Sequence, residues 1–193
     1  MELDQTYWNN RYLDNNSPWD TAAPTPPLKN YIDNLTDKSL RILVPGAGFA
    51  HEAMYLFQKG FQNTYVCDWS ASVLQSIQER NPEFPKDHLI QGDFFKLDRK
   101  FDLVIEQTFF CAIDPELRSA YVQKMHEILE PGGLLVGLLW SENFEKQGPP
   151  FGGTKEEYQD LFQPEFEILG MEMAKDSIGP RLGRELFVRF RRV

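Results

Sequence analysis

The chain has 193 residues, of which 41% are hydrophobic and 25% charged, with a formal net charge of −9. This length fits one domain with a full core, and this charge speaks against routine nucleic-acid binding, which needs basic surface to meet phosphates. Apolar runs such as LLVGLLW are too short to cross a bilayer, so no membrane partner is expected. MELDQTYWNN shows neither the basic region nor the apolar core of a secretory signal. Cys67 and Cys111 are the sole cysteines and lack metal-ligand spacing, which fits a reducing, cytoplasmic setting with no metal.

Residues 1–39 read as a cap. LDQTYWNNRYLD sets Leu3, Tyr7, Trp8 and Tyr12 on one helical stripe. NSPWDTAAPTPP is a proline-rich loop that cannot be regular helix, and LKNYIDNL is a second short helix. From residue 40, short apolar strands alternate with helical segments. LRILVP precedes a helix around 50–59, and NTYVCD precedes one around 71–79. HLIQGD is a short third strand, FDLVIE a fourth, and a helix around 116–129 leads to the fifth, GGLLVGLLW. Strands spaced by helices imply parallel pairing with both sheet faces covered.

The tail differs. After the loop EKQGPPFGG comes a helix around 155–161, then FEILGMEMA and ELFVRFRRV, joined near DSIGPRLG. Two strands without a helix between them predict an antiparallel hairpin. The expectation is a single α/β domain over 1–193, a doubly wound, seven-stranded Rossmann-like sheet (40–193) under an N-terminal helical cap (1–39). The basic end RLGRELFVRFRR reads as an edge strand whose alternating Arg deters edge pairing.

The turn PGAGFAH follows the first strand, at the sheet edge where ligands bind. Gly46 and Gly48 can take positive φ and let a ligand approach the backbone. A dinucleotide fingerprint would place a third glycine at position 51, where this chain has His51. Asp68 ends NTYVCD, where a carboxylate can accept both ribose hydroxyls of an adenosine; its other reading is a helix N-cap, for which Ser70 competes. In QGDFF, Asp93 can accept from an adenine amine and Phe94 can lie against the ring; the alternative is a turn with its phenylalanines in the core. Turn, ribose acid and adenine acid in this order, with a closing hairpin, favour S-adenosyl-L-methionine over a nicotinamide dinucleotide.

At these residues the sequence resembles the thiol and thiopurine S-methyltransferases, especially the plant-type halide/thiol branch. The matching segments are YWNNRYLDNNSPWDTAAPTPPL, LVPGAGFAHEA, GDFF, FDLVIEQTFFCAIDPELR, LEPGGLLVGLL and GPPF. The resemblance implies that Trp8 and Trp19 close over the cofactor and that Gly46 lies beside its methionine part. It implies that Asp68 holds the ribose, that Asp93 and Phe94 hold the adenine, and that Gln107 is a further cofactor contact. Two departures stand out: Tyr12 replaces a third tryptophan, and Trp140 stands where plant relatives have a tyrosine near the acceptor.

Independently of any family, indole faces attract cations such as a sulfonium, although a helix and loop packing two tryptophans would look the same. Phe109, Phe110, Trp140, Trp19 and Phe151 are candidates for an aromatic acceptor pocket, with one of Phe109 and Phe110 expected in the core. Arg181 and Arg184 flank the hairpin turn. The resemblance implies that this end of the hairpin lies near the acceptor, where Arg181 could attract an anion; a solvated turn is the other reading. His51 could touch the methionine carboxylate or be a surface residue at the helix start, Cys111 is expected to pack as a small apolar residue, and His88 and His126 look structural or exposed.

No Ser/His/Asp or Cys/His arrangement is visible, so the protein's expected role is positioning, with no catalytic side chain. The reading is transfer of a methyl group to a small soft nucleophile (thiol, hydrosulfide, thiocyanate or halide), releasing S-adenosyl-L-homocysteine. The expected partner is a small-molecule acceptor, and a monomer is favoured. Other readings keep the cofactor but change the acceptor to a hydroxyl or amine, make the chain a non-catalytic binding module, or make it a dehydrogenase.

Overall fold

The computed structural model describes residues 3–145 and 148–193. Seven strands form one sheet in the order β3-β2-β1-β4-β5-β7-β6. They are β1 (Ile42–Pro45), β2 (Thr64–Asp68), β3 (Leu89–Gln91), β4 (Phe101–Gln107), β5 (Leu129–Trp140), β6 (Phe166–Met173) and β7 (Glu185–Arg192). β1 to β5 pair in parallel, while β7 runs antiparallel to both β5 and β6. The doubly wound sheet with its terminal hairpin is therefore as expected.

Each face of the sheet carries its own core, because the strands are apolar on both sides. Leu43, Val104, Leu135, Val188 and Phe190 face α5 (Arg118–Ile128) and α6 (Lys155–Phe162), meeting Tyr121, Met125 and Phe162. Ile42, Val44, Val66, Ile105 and Val136 face the other way, toward α2 (Pro26–Asp33), α3 (His51–Gln58) and α4 (Ala71–Arg80). α1 (Gln5–Leu13) has no fully buried residue and packs on α4. Its tie is polar: Asn9 Oδ1 accepts from Ser70 Oγ (2.9 Å) and Ser72 N (3.3 Å).

Three expectations need correction. Pro26 and Pro27 belong to α2, at its first positions, where the missing N–H has no intrahelical partner to lose. β5 starts at Leu129, before the glycines, because Leu129 pairs with Phe101 across a register shift. β7 is an inner strand; the edge is β6, and Arg191 on β7 answers Glu167 across the pair at 3.0 Å.

Candidate functional site

The strand order reverses between β1 and β4, so the crevice at their carboxyl ends is the natural binding place in such a sheet. A cavity of about 680 Å³ opens there. Its floor is the turn after β1. Gly46 has φ +53° and a Cβ on it would lie 2.2 Å from Phe109 Cδ2, so only glycine lets the turn after β4 pack onto it. Gly48 has φ +52°, and a Cβ there would meet the Tyr12 hydroxyl at 2.9 Å.

Asp68 closes β2 beside this floor and is buried. Its Oδ2 accepts from Gly48 N (3.1 Å) and its Oδ1 from Ser70 N (2.9 Å). Ser70, not Asp68, caps α4, accepting from Val73 N. Each Asp68 oxygen keeps acceptor capacity toward the cavity it lines. Burial pushes its pKa up to about 6, against the pull of those N–H groups.

Asp93 and Phe94 follow β3 and line the same cavity. Asp93 Oδ1 accepts from Phe95 N at 3.0 Å, which shapes the short turn Phe94–Lys96. Phe94 is mostly core, with its ring 5.1 Å from that of Phe109. Over the cavity stand Trp8 and Trp19, their rings 5.6 Å apart and edge-to-face. Tyr12 meets Trp19 edge-on at 5.8 Å, and the Arg11 guanidinium lies 4.8 Å from the Trp19 ring. Tyr12 is half-buried, and its removal from water raises its phenol pKa.

At the far end Phe109, Trp140, Phe144, Pro149 and Pro150 form an apolar wall. Cys111 lines it as well, its thiol pushed up to about 12 by burial, then by the charge of Glu106. Arg181 also lines this end but is no solvated turn residue: it is 6% exposed, pairs with Glu185 and donates to the Trp19 carbonyl. Arg184 is held by Glu142.

Four of the residues expected at the site, Phe110, Gln107, Gly48 and Phe151, do not line this cavity. Phe110 is 1% exposed and packed on Tyr121, Tyr158 and Phe162, so its place is the core and not an acceptor wall. Gln107 and Gly48 border a separate hollow of about 30 Å³ on the other side of Gly46, and Gln107 Oε1 is buried there without a partner. Phe151 yields its expected position to Pro149 and Pro150, its N–H bound to the Cys111 carbonyl. His51 bonds Asp20 of the cap at 2.7 Å, His88 bonds the Thr64 carbonyl, and His126 lies against Val193 O.

The least legible residue is Glu106. It is the last residue but one of β4, where a carboxylate suggests contact with solvent, yet it is 1% exposed. Its Oε1 accepts from Phe109 N (2.8 Å) and Phe110 N (2.9 Å), and its Oε2 from Tyr121 Oη (2.6 Å). This bonding turns the chain back after β4, with Thr108 at φ +59°, and so delivers Phe109 onto Gly46. Gly137 on β5 makes the room, since a Cβ there would lie 2.4 Å from Glu106 Cβ.

Residues 3–188 match the thiopurine S-methyltransferase (TPMT) family. The chain belongs to that family. It is 30% identical over 192 residues to thiocyanate methyltransferase 1 of Brassica oleracea, covering 96% of this chain and 84% of the relative. It is 26% identical over 206 residues to a thiopurine S-methyltransferase of Vibrio vulnificus, covering 97% and 94%. Among solved structures, an N1-methyltransferase of Burkholderia thailandensis with bound S-adenosylhomocysteine superposes with a TM-score of 0.77 at 15% identity, covering 99% of this chain and 88% of that one. A TehB-like SAM-dependent methyltransferase from Corynebacterium glutamicum gives 0.68 at 15% identity, covering 98% of each chain.

Membership in the TPMT family makes the chain an S-adenosyl-L-methionine-dependent methyltransferase. The cavity fits such a cofactor on its own terms. A glycine floor that Cβ atoms would obstruct lies beside a buried carboxylate with spare acceptor capacity, under an aromatic roof.

Proposed function

We propose that the protein methylates a small thiol or a soft inorganic anion such as hydrosulfide, thiocyanate or a halide, by in-line displacement. The observation that carries this is the two-ended cavity: acidic at Asp68 and Asp93, aromatic at Phe109 and Trp140, with an uncharged thiol, Cys111, at its acceptor end. When bound, S-adenosyl-L-methionine supplies a methyl group already activated on a positive sulfur.

On this reading Asp68 accepts the ribose hydroxyls, Asp93 accepts from the adenine amine, and Phe94 bears on the base. Gly46 lets the methionine part approach the chain. Gly48 and Gln107 act from the smaller hollow behind it, where the unpartnered Gln107 oxygen awaits a donor. Trp8 and Trp19 roof the sulfonium and exclude water. Phe109 and Trp140 wall the acceptor. Both arginines there carry acidic partners, so the wall presents compensated charge and polarizable rings. Such surroundings favour a soft, weakly hydrated nucleophile, which needs no general base once ionised. The buried, unlinked cysteines support a reducing, cytoplasmic setting.

A methylation panel over hydrosulfide, thiocyanate, iodide, aryl thiols and thiopurines, with a phenol and an amine beside them, read as released S-adenosylhomocysteine, tests the proposal. Turnover with at least one soft acceptor is expected. Silence across the panel with intact cofactor binding, or turnover confined to hydroxyl or amine acceptors, would overturn it.

A further inference from the structure

Arg181 is a buried cation in an unusual place. It ends a short 3₁₀ turn, Gly179–Arg181, before β7, and is 6% exposed. Its Nη1 lies 3.4 Å from Glu185 Oε1, and the other Glu185 oxygen accepts from Ser177 Oγ at 2.8 Å. Its Nη2 donates to the main-chain oxygen of Trp19 at 2.8 Å, across 162 residues of chain. Its guanidinium carbon stands 5.7 Å from the Trp140 ring.

Burying such a pair costs desolvation that the pair alone does not always return. Here the planar fork aims two fixed nitrogens at two separate elements, Nη1 at Glu185 of β7 and Nη2 at the Trp19 carbonyl of the cap. Trp19 meets Trp8 and Tyr12 edge-on, so holding its carbonyl also holds that cluster over the cavity. α2 is anchored by buried Leu28 and Ile32, but the stretch before it is held more lightly: no residue of α1 is fully buried, and its polar ties include Gln5 to the Trp69 carbonyl, Asn9 to Ser70 and Asp20 to His51.

We infer that Arg181 is a positioning residue, whose guanidinium clasps the Trp19 carbonyl to the terminal hairpin and so locks the cavity roof against its acceptor wall. This rests on the donor site proposed above. It also reassigns the residue: Arg181 acts through Trp19 and Glu185, not by drawing in an anionic acceptor.

The test is Arg181→Lys, which replaces the two fixed nitrogens of the fork by a single one on a flexible stem. Loss of one charged hydrogen bond predicts S-adenosylhomocysteine binding weakened about tenfold. The fall in kcat/KM should be alike for thiocyanate, an anion, and for 2-mercaptoethanol, a neutral thiol. Amide hydrogen exchange over residues 17–22 should quicken in the ligand-free variant. Unchanged cofactor affinity with a loss confined to thiocyanate would overturn the inference, as would unchanged exchange. Should Arg181→Lys fail to fold, Ser177→Ala, which frees one Glu185 oxygen, should give the same changes in smaller degree; no change in exchange would again count against the clasp. If wild type does not bind S-adenosylhomocysteine, the donor reading fails, while exchange in the ligand-free protein still decides the clasp.

Discussion

Asp68 shows how one side chain can serve both the fold and the site. Its oxygens hold Gly48 N and Ser70 N, and burial sets its pKa at about 6. A ligand that donates hydroxyl hydrogens to it favours the ionised form. Cofactor affinity should therefore fall as pH drops through about 6, roughly tenfold between pH 7.5 and 5, if only the carboxylate binds. For folding the sign is opposite. A carboxyl raised above its unfolded value contributes stability at low pH, and this is lost as pH rises through about 6. Asp68→Asn should bind S-adenosylhomocysteine weakly at pH 7.5 and without that pH dependence, as titration calorimetry at both pH values would show. Asp68 was legible because its spacing from the glycine turn speaks of adenosine. Arg181 was only half legible, since a sequence places it at a hairpin turn but cannot say that the cap folds over it.

The turn after β4 makes the same point for an element. QTFFCAI was readable as the acceptor side because it follows a strand at the carboxyl edge. Which phenylalanine faces the cavity was not, because Glu106 decides it by binding both Phe109 N and Phe110 N. Glu106→Ala would leave two N–H groups and the Tyr121 hydroxyl without a partner, costing about 3 kcal/mol of stability. Urea denaturation would measure this; a change under about 0.5 kcal/mol, the range of a surface substitution, would contradict the role. The hairpin was also legible as an element, from two strands without a helix between them. Its order in the sheet was not. Alternating Arg suits an edge, but β7 is inserted beside β5, where Arg191 finds Glu167 on β6.

For the molecule as a whole, strand–helix alternation was enough to foresee a doubly wound sheet, and the crevice where its order reverses carries the site. A cap over the cofactor was expected, but the bonds that tie it to the body came only with the structure. Asn9 and Asp20 carry no signal in the sequence, and Trp19 carries only that of a roof aromatic, yet each fastens the roof to a different part of the core. Such long-range pairings leave no periodic trace along a chain. The central claim is that an adenosyl donor occupies this crevice with its ribose on Asp68. Calorimetric titration of wild type and Asp68→Ala with S-adenosylhomocysteine at pH 7.5 tests it most directly. One saturable site in wild type, severely weakened in Asp68→Ala, is the predicted result; no heat from wild type, or equal binding by both, would contradict it.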